Sequence, residues 1–140
     1  MYNRDDIVRL RLSAMHYKLS AGKEFWFSDT EKLLKICNGI GAESWSEQKR
    51  NALTKALSRY EVAAAIHDCR YQFHDCTKAE ADKEFLENMY KIWRRDFRWR
   101  AYLTISGLLE RRVIRTCYYA VVIGGSEAWE KGGKCHESDT

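Results

Sequence analysis

The stretch HDCRYQFHDCTKAEADKEF, His67 to Phe85, repeats the tripeptide His-Asp-Cys at a distance of seven residues and then opens a second periodic segment. Upstream of the turn, Tyr60, Ala64, His67 and Tyr71 recur at helical spacing. Val62, Ile66 and Phe73 widen the apolar surface, so a helix is expected from about Arg59 to Phe73. Thr77-Lys78-Ala79-Glu80 is a capping box that starts the next helix, expected to reach about Arg98 with Phe85, Met89 and Ile92 or Trp93 facing inward. The short turn between them makes an antiparallel helix pair.

The two His-Asp copies differ in setting. His67 and Asp68 fall inside the first helix, whereas His74 sits at its C-terminus, where the helix dipole favours a cation. Asp75 and Cys76 fall in the turn. Seven residues along a helix separate the two rings by about 10 Å, too far for one metal ion. Cys69 and Cys76 fail as a disulfide by the same distance.

In an antiparallel hairpin His67 lies opposite Asp82. Asp82 shares a face with Phe85 and Met89, so its carboxylate points toward the core and needs partners there. His67 and Tyr71, one turn apart, can supply them. A carboxylate that orients an imidazole is the arrangement general-base catalysis uses. A core histidine satisfied within a helical hairpin is the plainer alternative.

Outward from this pair, Asp5 and Asp6 introduce a stripe of Ile7, Leu10, Ala14 and Tyr17. Ser28 with Glu31 reads as a capping box before TEKLLKIC, and Asn38-Gly39 as the stop of that helix. NGIGAESWSEQ reads as a loop, with a further helix from Ser46 or Glu47 through Leu57. A bend is expected between Trp99 and Gly107, followed by a long helix that Gly124-Gly125 ends. The expectation is therefore an all-α fold: one helical domain over residues 1–130, with a polar, disordered tail over 131–140.

Composition agrees with helices, since proline is absent and only 8 of 140 residues are glycine. The net charge of +4 tolerates an anionic partner. Arginines gather at 94, 95, 98 and 100 and again at 111, 112 and 115, although solvated helix faces also carry such clusters. Five cysteines, an odd count, together with the charged opening MYNRDDIVRL, lead to the expectation of free thiols and a cytoplasmic location. No apolar run is long enough for a membrane span.

The His-Asp-x-x-Tyr helix, the Asp on the next helix and the upstream CNGIGA together resemble the phospholipase A2 superfamily, whose calcium loop precedes its His-Asp helix. Asn38 stands where that family has cysteine, Ala42 stands where it has the last glycine, and its disulfide framework is missing. NGIG, AAAIHDCRY, EADKEFLENM and RRVIRTCYYAVVIGG also look like a bacterial and prophage family with the same order of motifs. The resemblance implies a compact phospholipase A2-like fold without the β-wing. It makes His67 the base, Asp82 its orienting partner, Tyr71 a structural donor and the Gly39 amide an oxyanion contact. Asp68 would bind calcium with the backbone carbonyls of Cys37, Gly39 and Gly41.

Two functions follow as expectations. One is a calcium-dependent hydrolase of a phospholipid or related ester, released at phage lysis. The other is a catalytically silent phage or bacterial module that binds a protein, a membrane surface or nucleic acid through its basic helices.

Overall fold

The computed structural model describes residues 2–39 and 58–138. Among them every regular element is a helix: α1 (Arg4–Tyr17), α2 (Lys23–Phe27), α3 (Thr30–Gly39), α4 (Glu61–Phe73), α5 (Lys78–Phe97), α6 (Arg100–Leu103), α7 (Ile105–Gly124) and α8 (Ser126–Ser138). The expected all-α fold is present. The loop after Gly39 and the helix expected up to Leu57 lie outside the described residues.

The α4–α5 hairpin forms as the sequence pattern dictates. Thr77 caps α5 by accepting the Glu80 amide, and Glu80 reaches back to the Thr77 amide. The turn is made by His74, whose φ of 51° gives α4 a left-handed C-cap. α1 packs against α3 and α4, and α7 lies along α5. Ile7, Leu10, Leu33, Ile66, Met89 and Ile92 are buried where these helices meet. The interior also holds Asn88, whose amide brackets Ser20 by accepting its N–H at 3.0 Å and donating to its carbonyl at 2.8 Å. That pair ties the link after α1 to the middle of α5 and leaves the buried amide satisfied.

Three local expectations change. α1 is capped by Asn3, with Asp6 completing the box, so the acids lie inside the helix rather than before it. Asp29 caps α3 by accepting the Lys32 amide at 2.9 Å, while Ser28 ends α2 and bonds Glu24. Glu31 instead pairs with Arg4.

The largest change is at the C-terminus. Residues expected to form a disordered tail from 131 continue α8 to Ser138. Polar composition misled here because the helix is held by docking on α4, a tertiary contact that a local pattern does not reveal. Gly132 makes the approach possible. A Cβ there would lie 2.1 Å from the Tyr71 carbonyl oxygen, so only glycine fits.

Gly132→Ala should therefore push α8 away from α4. The expected loss is about 1–3 kcal/mol, the range for overpacking a close contact, measured by urea unfolding. A variant as stable as wild type would mean that α8 is not held there.

Candidate active site

Asp82 is the centre of a buried polar cluster. Its carboxylate is 2% exposed and takes three donors from two helices. The Tyr71 hydroxyl donates to Oδ1 at 2.6 Å, and His67 Nε2 lies 2.8 Å from the same oxygen. Lys78, one turn before Asp82 on α5, donates to Oδ2 at 2.7 Å. Burial pushes the carboxyl upward, but these three contacts outweigh it and leave Asp82 below the ordinary carboxylate range. The group is an anion at neutral pH.

That charge state settles the histidine's chemistry. An ionised carboxylate only accepts, so Nε2 carries the proton and Nδ1 keeps its lone pair. Burial lowers the His67 pKa below its usual value, against the raising effect of Asp82. The ring is held neutral between the rings of Tyr71 at 4.2 Å and Phe85 at 4.7 Å. Nδ1 makes no hydrogen bond among the described residues. His67 is a neutral, oriented imidazole with one basic nitrogen uncommitted among the described residues.

Lys78 was not among the residues singled out from sequence. The signal was its i, i+4 relation to Asp82 on one helix. Its ammonium also donates to the carbonyls of Val121 at 3.0 Å and Val122 at 3.4 Å, near the C-terminal end of α7. The cluster therefore joins α4, α5 and α7. Trp129 was missed as well: its ring meets Tyr71 edge-on at 5.1 Å and stacks on His74 at 3.7 Å. His74 Nε2 is 2.6 Å from the Trp129 carbonyl oxygen. The second His-Asp copy thus anchors α8, beyond the dipole role expected for its histidine.

Asp68 projects elsewhere, into a cleft of about 290 Å³ that Tyr2, Cys37 and Glu61 also line. His67 does not line this cleft and is 6% exposed. Burial raises the Asp68 carboxyl well above the ordinary range, and the Cys37 thiol adds to this. Cys37 and Asp68 line the same cleft. Glu61, the other carboxylate of the cleft, is held by Arg9 at 2.8 Å.

These residues do not by themselves make a calcium site. Calcium takes roughly six to eight oxygens with ionised carboxylates among them, and here one carboxyl is biased toward its neutral form. No group of three or more His, Cys, Asp or Glu converges among the described residues. Gly39 lies within α3, where a helical amide already donates to the carbonyl four residues back. Gly41 lies outside the described residues.

Two measurements check the cluster. Tyr71→Phe removes a hydrogen bond to a charged group and should cost about 1.5–3 kcal/mol by denaturant titration. The depressed His67 pKa means that the fold prefers the neutral ring. Its contribution to stability is present above the unfolded value of 6.5 and is lost as pH falls through the folded value. Asp68 acts in the opposite sense, because its raised pKa gives stability that is lost as pH rises. The difference between wild type and His67→Gln isolates the histidine, and it should change by at most about 1.4 kcal/mol per pH unit below pH 6.5. A difference that is flat with pH there would show that the ring is not held neutral.

Comparison with protein-family models, with curated proteins and with solved structures found no match for this chain.

Proposed function

We propose that this chain is a small phospholipase A2-like hydrolase in which His67 activates water against a phospholipid or related carboxylic ester. The single observation carrying this reading is the shared Asp82 acceptor, which fixes the protonated Nε2 of His67 and leaves Nδ1 as the base. Nδ1 takes a proton from water as the oxygen attacks the ester carbonyl. The tetrahedral intermediate collapses by breaking the ester C–O bond, and the leaving alkoxide receives that proton from Nδ1. Asp82 stays ionised throughout and stabilises the imidazolium in between. Tyr71 and Lys78 hold Asp82 in place without touching the substrate.

The resemblance would give Asp68 a calcium ion to stabilise the oxyanion. The described residues do not complete such a site, so no step is routed through it, and calcium enters as a condition of the assay.

A second reading is favoured by the 6% exposure of His67 and by its absence from the Asp68 cleft. In it the cluster is a satisfied polar core, and the chain is a catalytically silent binding module.

Hydrolysis of phosphatidylcholine vesicles and of a short-chain ester, with calcium and with chelator, separates the two readings. The hydrolase reading expects release of fatty acid that His67→Gln reduces by about 10²–10⁴-fold, the usual contribution of a general base. The lowered His67 pKa places the acid limb of the rate profile below pH 6.5, where protonation of Nδ1 removes the base. No hydrolysis by a folded wild type under either condition would leave the binding-module reading standing.

A further inference from the structure

The outward side of α7 carries a stripe that its packing does not explain. Ile105, Leu109, Arg112, Arg115, Tyr119 and Ile123 recur at intervals of three and four and are all exposed. Ile105 is 79% and Ile123 is 81% exposed, at opposite ends of the helix. The inward side is already occupied, with Ile114 and Cys117 buried. α7 is thus apolar on two sides, and one of them has no partner among the described residues.

Charge narrows what could cover it. Glu110 is the lone acid of α7 and is held by Arg59 at 3.3 Å. Neither Arg112 nor Arg115 is ion-paired among the described residues. The arginines stand in the middle of the stripe, with apolar residues to either end. At 1.5 Å per residue, the 20 residues of α7 make an element of about 30 Å.

The start of the helix is held firmly. Thr104 caps it by accepting the Gly107 amide at 3.0 Å, and Trp93 Nε1 donates to the Gly107 carbonyl at 2.9 Å. A Cβ on Gly107 would lie 2.2 Å from the Arg100 carbonyl oxygen, so α6 is pressed against α7. Trp99 and Leu103 at this elbow and Ile105 after it are all exposed.

We propose that the outer face of α7, with the elbow at its start, is a docking surface for an anionic phospholipid bilayer. A long helix with apolar side chains and arginines on its free face lies in the plane of such an interface. The apolar groups enter the acyl boundary while guanidinium groups extend to phosphates. A second copy of the chain fits poorly, because pairing two such stripes would bring Arg112 and Arg115 together without acids to neutralise them. Nucleic acid would neutralise the arginines but leave Ile105, Leu109 and Ile123 uncovered. No helix among the described residues is long and apolar enough to cross a membrane, so attachment is peripheral. It goes beyond the hydrolase reading and does not depend on it.

Co-sedimentation with vesicles tests this directly. The chain should bind vesicles of equimolar phosphatidylcholine and phosphatidylglycerol, bind pure phosphatidylcholine much less, and weaken with added salt. Arg112→Gln with Arg115→Gln should lower affinity roughly fivefold per arginine, as expected for basic groups near an anionic surface. Ile105→Ser with Ile123→Ser should also weaken binding, while both variants keep the wild-type circular dichroism because the altered side chains are exposed. His67→Gln should bind as wild type does, which separates docking from hydrolysis. No vesicle binding, equal binding to both compositions or full binding by the arginine variant overturns the proposal. So does a concentration-dependent dimer that buries the stripe, or tighter binding to double-stranded DNA than to the anionic vesicles.

Discussion

A carboxylate inside a helical core has to be given donors or lose its charge, and this structure is arranged around that requirement at Asp82. His67 and Tyr71 come from α4, Lys78 from α5, and the same lysine reaches the carbonyls near the end of α7. Two helices therefore hold one anion, and the lysine ties it to a third. Burial keeps His67 neutral against the pull of that anion, and because Asp82 is ionised the tautomer of the ring is set, with its remaining nitrogen basic. The structural requirement and the chemical potential of the site are the same fact seen from two sides.

The same cluster explains the division of labour between the two His-Asp copies. His67 turns inward to the anion, while Asp68, its neighbour on α4, turns to a separate cleft beside Cys37. His74 takes a left-handed backbone and receives Trp129 across its ring. Asp75 is bonded to Arg70 at 3.0 Å, and Arg70 also pairs with Glu84 at 2.9 Å. The second copy thus closes the hairpin and binds the last helix. Identical tripeptides do unlike work because one lies within a helix and the other at its end.

What could be read from sequence follows from how local each cause is. Helical spacing and the Thr77 capping box were enough to place His67, Tyr71 and Asp82 together, since the hairpin between them is short and its register is fixed. Lys78 was legible in principle from its i, i+4 relation to Asp82. α2 and α6 are too short, at 5 and 4 residues, to show a period. α8 could not be inferred, because Gly132 and the polar residues around it resemble a loop until the Tyr71 carbonyl is seen against them. The Asp68 side of the resemblance had no such local cause to read, since ligation by backbone carbonyls leaves almost no mark on side-chain pattern.

The stacking of Trp129 on His74 joins residues 55 positions apart, whereas His67 and Asp82 are separated by 15. During synthesis the polar cluster of the hairpin can therefore assemble long before α8 has left the ribosome. Until then the outer edge of Tyr71 stays uncovered, and Lys78 waits for the end of α7. Completion of the last helix is then the event that closes Trp129 over His74 and the edge of Tyr71.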